Sequence, residues 1–182
     1  MKEALLIIDV QNDYFEGGKM ALVGADKAAE NARLVLDMFR SKGLPIAHVQ
    51  HIATSPTATF FLPNTEGAEI YKGVSPMDGE KVVVKHYPNS FRETDLLDHL
   101  KAEGITDVVI CGMMTHMCVD ATTRAAKDFG FSCTVIGDAC ATRTLEVNGQ
   151  SVAAAEVQKS FLAALSYFYS TVKTAKQYIE ER

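Results

Sequence analysis

The sequence predicts an α/β fold: a three-layer α/β/α sandwich around a central, mostly parallel sheet of about six strands. Three observations predict it. Short apolar runs such as Ala4-Leu5-Leu6-Ile7-Ile8 lack polar alternation, the pattern of strands buried on both faces. Amphipathic stretches of helical period separate these runs. Strands that alternate with helices along a chain imply right-handed crossovers, which make the strands parallel and put helices on both faces.

The elements follow in order. Ala4 to Val10 is the first strand, with Asp9 as its one acid at the carboxyl end. Gln11 to Gly24, carrying Gly17-Gly18, reads as a loop. From Ala25 to Lys42, Ala28, Ala32, Val35, Leu36 and Phe39 share one helical face, and Gly43 stops the helix. Pro45 to Ile52 is the second strand. Thr54 to Gly79 is broken by Pro56, Pro63, Gly67, Gly73 and Pro76; loops this long in a compact domain often serve function. Lys81 to Lys85 is the third strand, Thr94 to Ala102 a helix, and Asp107 to Gly112 the fourth strand. Thr115 to Phe129 reads as a helix ending at Gly130, and Phe131 to Ile136 as a fifth strand before Gly137-Asp138. Val152 to Tyr169 is a helix, Ser170 to Lys173 a short sixth strand, and Ala175 to Glu181 a terminal helix. No repeat, linker or low-complexity segment divides the chain, so residues 1–182 read as one domain.

Composition narrows the class. Hydrophobic residues make up 47% of the chain, too many for a disordered one. The formal net charge is −5 and no Lys/Arg run occurs, which argues against a nucleic-acid partner. No apolar run approaches the ~18 residues of a membrane span, and no basic segment followed by an apolar one opens the chain. The four cysteines therefore read as free thiols of a cytoplasmic protein without a membrane partner.

Ligands of open parallel sheets bind beyond the carboxyl ends of the strands. Asp9, Lys85 and Cys118 all fall at such ends. Each alone has an ordinary alternative: a loop cap, a surface lysine, a small buried apolar residue. Their joint placement at one edge is harder to produce by chance. Cys118 lies in Gly112-Met113-Met114-Thr115-His116-Met117-Cys118-Val119-Asp120, where strand gives way to helix. A thiol at a helix N-terminus beside a cation has its pKa lowered from ~8.5, and Lys85 offers that cation. Asp9 offers a base to take the thiol proton and return it to a leaving group.

These residues resemble the isochorismatase-like cysteine hydrolases, which include nicotinamidases and N-carbamoyl amino-acid amidohydrolases. The carriers are Leu6-Ile7-Ile8-Asp9-Val10-Gln11-Asn12-Asp13, Lys85 with Phe91, the Gly112 to Arg124 block, and Asp138. The resemblance spans nearly the whole chain. It implies a catalytic triad of Asp9, Lys85 and Cys118, and a cis peptide at Met113-Met114. It also implies an oxyanion hole from the backbone N–H groups of Met114 and Cys118. The implied activity is hydrolysis of a C–N bond in a small amide, ureide or carbamoyl compound through a thioester. No cofactor is implied, and a homo-oligomer is. The helices from Val152 onward offer an interface or simply core. The competing readings are a thiol-bearing binding or redox-sensing protein on the same fold, and isochorismatase-type ether hydrolysis, which Cys118 argues against.

Other residues are candidates for the substrate pocket: Gln11, Phe15, His51, Phe60, Phe61, Asn89 and His116. The Phe60-Phe61-Leu62-Pro63 segment is either a lid or a cluster pinning the loop, and Asn89 either binds substrate or caps a turn. His116 sits two residues before Cys118, and side chains so spaced diverge by ~200° on a helix, which disfavours a papain-like pair. The nicotinamidase Asp-x-His metal signature has no counterpart in His48-Val49-Gln50-His51-Ile52. Residues three apart on a strand face opposite ways, so His48 and His51 do not converge and no metal is expected. Cys111, Cys133 and Cys140 read as structural. Cys-x-x-Cys, P-loop, dinucleotide and Gly-x-Ser-x-Gly motifs are missing from the sequence.

Overall fold

A computed structural model of the chain describes residues 2–182. Five of its strands, β1 (Glu3–Ile8), β2 (Ile46–His51), β3 (Lys81–Lys85), β4 (Asp107–Met113) and β5 (Ser132–Ala141), join a later one, β8 (Thr171–Lys173). They form a parallel six-stranded sheet in the order β3-β2-β1-β4-β5-β8. The short strands β6 (Leu145–Val147) and β7 (Gln150–Val152) pair antiparallel as a separate hairpin.

Alternate residues of the buried strands feed two cores. Leu5 and Ile7 pack with α1 (Ala25–Ser41) and with Tyr178 of the terminal helix. Ala4, Leu6 and Ile8 pack with α2 (Leu96–Ala102), α3 (Asp120–Asp128) and Leu165 of α4 (Ala154–Phe168). The chain closes with α5 (Ala175–Glu180), whose Thr174 side chain accepts from Gln177 N–H in a capping box. The three predicted layers are therefore present, with helices on both sheet faces. Among the described residues no helix is long and apolar enough to cross a membrane.

Three predicted elements differ. The strand expected to stop at Ile136 continues to Ala141, because a register shift opposite Ile110 and Gly112 absorbs Gly137-Asp138 without ending the pairing. Val152 belongs to β7, not to the helix that follows. The helix expected from Thr115 opens instead with a π turn over Thr115–Val119, in which Val119 N–H donates to Met114 O at 3.3 Å.

Gly112 is the tightest glycine of the sheet. It pairs with Ile8 across β1 and β4 and holds φ at 129°, outside the range of other residues. A Cβ built on it would stand 2.0 Å from the Ile8 carbonyl oxygen.

Candidate active site

The strand order explains how distant residues meet. β1 and β3 are both neighbours of β2, so their ends lie about 10 Å apart at ordinary strand spacing. Asp9 follows β1 in a left-handed conformation, φ 50°, which Asp tolerates better than most residues, and its N–H donates to Val49 O at 3.0 Å. Lys85 ends β3, and its four-carbon stem reaches across the end of β2. Its ammonium donates to Asp9 Oδ2 at 2.7 Å and to His51 Nδ1 at 3.0 Å. The same group lies 3.4 Å from Cys118 Sγ, supplied by the π turn after β4. His51 is the register partner of Lys85, so both side chains leave the sheet on one face.

Asp9 and Lys85 are fully buried, and Cys118 is 6% exposed. Asp9 Oδ1 is buried and has no hydrogen-bond partner among the described residues. The electrostatics reverse one expectation. Burial pushes the Cys118 thiol well above its ordinary range and the Asp9 charge adds to this, while Lys85 opposes it. The helix-end dipole and the cation do not prevail, because removing a thiolate from water costs more than they return. Burial also works against the Lys85 charge, but Asp9 and Cys118 outweigh it and the net shift is upward. Burial, with help from Lys85, lowers His51 to about 4, so its ring is neutral near pH 7. The site thus rests as a thiol beside an ammonium, with one carboxylate oxygen unused.

Donor atoms of Asp9, His51 and Cys118 lie within 4.8 Å of one another, a spacing that a metal ion can exploit. Here the Lys85 ammonium already bonds to Asp9 and His51 and approaches the sulfur, so a metal has to displace a charge that fits.

The candidate pocket residues separate. A cavity of about 370 Å³ meets the cluster at His51 and is otherwise lined by Thr54, Ser55, Phe60, His86 and Tyr87 among others. Of the candidates, His51 and Phe60 line this cavity. Gln11 is not available to a ligand: its amide donates to His51 O and Ala68 O and accepts from His51 N–H. Phe61 is 1% exposed, and its N–H donates to Asp13 Oδ2 at 2.7 Å. It pins the long loop to the body instead of capping the cavity, a tie made by Asp13, which the sequence showed only as part of the first motif, without a role. Phe15 stacks on Tyr71 at 3.7 Å between ring centres. Asn89 accepts from Phe91 N–H and closes a turn. The His116 ring bonds to Thr142 Oγ1 at 2.6 Å, away from the sulfur. The Met113-Met114 peptide is cis. A larger cavity of about 500 Å³ lies at the opposite edge, lined by Arg40, Glu80, Lys81 and His99, far from the thiol. Thr54, Ser55 and Tyr87 carry no motif, and only the loop path brings them to the cavity.

Fold and site define the class: an α/β/α hydrolase with a buried acid, ammonium and thiol at the carboxyl edge of its sheet. The chain belongs to the isochorismatase family, since the Isochorismatase domain model matches residues 3–167. It is 52% identical to an uncharacterized isochorismatase family protein, YddQ, of Bacillus subtilis (strain 168), over 99% of this chain and 100% of that one. A crystal structure described as an isochorismatase hydrolase from Oleispira antarctica superposes with a TM-score of 0.95 at 50% identity, covering 98% of this chain and 96% of that one. The N-carbamoylsarcosine amidase of Thermoplasma acidophilum superposes with a TM-score of 0.83 at 27% identity, covering 96% and 97%.

Proposed function

We propose that this hydrolase is a cysteine amidohydrolase that cleaves a C–N bond of a small amide, ureide or carbamoyl compound, with Asp9, Lys85 and Cys118 as its catalytic groups. One observation carries the reading: Asp9 Oδ1 is left unpaired in the same buried cluster as the Cys118 sulfur. A thiol held above its ordinary pKa needs a base, and a carboxylate held at one oxygen by Lys85 keeps the other for that task. Asp9 takes the Sγ proton, and sulfur forms a bond to the substrate carbonyl carbon. The N–H groups of Met114 and Cys118 receive the oxyanion. As it collapses the C–N bond breaks, and Asp9 passes its proton to the departing nitrogen. Water, deprotonated by Asp9, then cleaves the thioester and restores the thiol. The likeness to an N-carbamoylsarcosine amidase supports this bond class.

The test is ammonia release from a panel of small primary amides, ureides and N-carbamoyl compounds, in wild type and Cys118→Ala. Turnover that vanishes in the variant supports the reading; undiminished turnover overturns it. Self-association through the end of α4 is part of the same reading, since Tyr167 and Phe168 are 92% and 65% exposed there. Light scattering of the wild type and of Tyr167→Ser/Phe168→Ser checks it: a lower mass for the variant is expected, and equal masses count against it.

A further inference from the structure

The geometry points to His51 as a substrate-orienting residue whose Nε2–H, locked in place by Lys85, donates a hydrogen bond to an acceptor oxygen of the molecule in the cavity. Lysine ammonium has donors and no acceptor, so the 3.0 Å contact to His51 Nδ1 requires a lone pair on Nδ1. In a neutral imidazole the proton then sits on Nε2. The depressed pKa of His51 keeps the ring neutral and is consistent with that tautomer. Nε2 has no protein partner among the described residues, is not enclosed, and belongs to a ring that lines the cavity.

The placement is built. Gln11 grips both the N–H and the C=O of His51, so the backbone under the ring is held on two sides. The Phe61 ring packs 6.0 Å from the imidazole, centre to centre. A neutral donor suits a neutral acceptor such as a carbonyl. The described cavity lining adds the hydroxyls of Thr54, Ser55 and Tyr87 and contains no Lys or Arg to pair a carboxylate. The inference rests on the amidohydrolase reading for the identity of the substrate, but the tautomer stands without it.

Two substitutions separate a donor to substrate from a prop for Lys85. The Asn side chain reproduces the position of Nδ1 and loses Nε2, and the Gln side chain reproduces Nε2 and loses Nδ1. The probe is iodoacetamide, whose carbonyl offers an acceptor and whose carbon alkylates Cys118: the C–S bond forms, iodide leaves, and Asp9 takes the thiol proton. His51→Gln is expected to keep the saturable inactivation rate within about threefold, and His51→Asn to lose about tenfold or more, the scale of one hydrogen bond to a ligand. The reverse order, or equal rates, overturns the inference. Long-range ¹H–¹⁵N spectra of the wild type at pH 7 read the tautomer directly, and a proton on Nδ1 overturns it as well. Undiminished ammonia release by Cys118→Ala removes the Cys118-dependent mechanism alone and leaves both of these results interpretable.

Discussion

Each end of the sheet carries a trio of carboxylate, cation and histidine. At the amino edge, Arg40 donates to both oxygens of Glu80 at 2.7 and 2.9 Å, His48 Nε2 lies 2.8 Å from Oε2, and Met77 N–H adds a bond at 2.9 Å. At the carboxyl edge, Lys85 holds one oxygen of Asp9, and the other has no partner among the described residues. Glu80 is saturated and Asp9 is not. The saturated trio also borders the larger cavity, so volume alone points away from the proposed site. What distinguishes the proposed reactive cluster from a staple is spare valence beside a thiol. His48 Nδ1 is the orphan of the amino edge, but burial lowers the pKa of that ring and no nucleophile neighbours it in the trio.

The sharpest way to break this contrast is Asp9→Asn. It should lower kcat/KM by about 10³-fold, within the range of general acid–base catalysis. It should also cost about 3–5 kcal/mol of stability, because the Lys85 ammonium is left buried without its counter-ion. Adding Lys85→Met should restore much of the stability and none of the activity; urea melts and ammonia release check both halves.

The next effect is acid sensitivity at the other end. Hydrogen bonds from Arg40, foremost, lower Glu80 from 4.5 to about 2. A depressed carboxylate stabilises the fold above its unfolded pKa and loses that contribution as pH falls, here between 4.5 and about 2. The loss is about 3 kcal/mol by linkage. Urea melts across that range should show it in wild type and show it blunted in Glu80→Gln.

At pH 7, Glu80→Gln should cost about 2 kcal/mol, the scale of hydrogen bonds to a charged group, with ammonia release per folded molecule unchanged within about twofold. A collapse of activity would mean that the two trios are not separate devices. The smallest effect belongs to the exposed Lys27–Glu30 pair. Lys27→Ala should change stability by no more than about 0.5 kcal/mol and leave activity alone.

The sequence made much of this legible, and the reasons differ by residue. The run Lys81 to Lys85 is an observed strand end to end, because local apolar pattern and flanking breakers agree. The convergence of Asp9, Lys85 and Cys118 was legible from the rule that sites gather at carboxyl ends and from the family resemblance. The continuation of β5 through Gly137-Asp138 was not, since it depends on a shift in the neighbouring strand. Nor was the direction of the Cys118 shift: helix ends and cations can be read from a chain, but the loss of water around one sulfur cannot. Gln11 and Asn89 look like ligand groups by type. Only the three-dimensional path shows the Gln11 amide spent on backbone at both ends, and it decides between the two readings of Asn89, whose Oδ1 accepts from Phe91 N–H.

Gly112 gives the arrangement its scale. It faces Ile8, the residue before Asp9, and begins the segment that delivers Cys118. With 2.0 Å between its virtual Cβ and the Ile8 carbonyl, any side chain would act as a wedge driven between the two central strands. Acid and sulfur would be jacked apart with them. The gauge that sets the gap between carboxylate and sulfur is a carbon atom the chain leaves out.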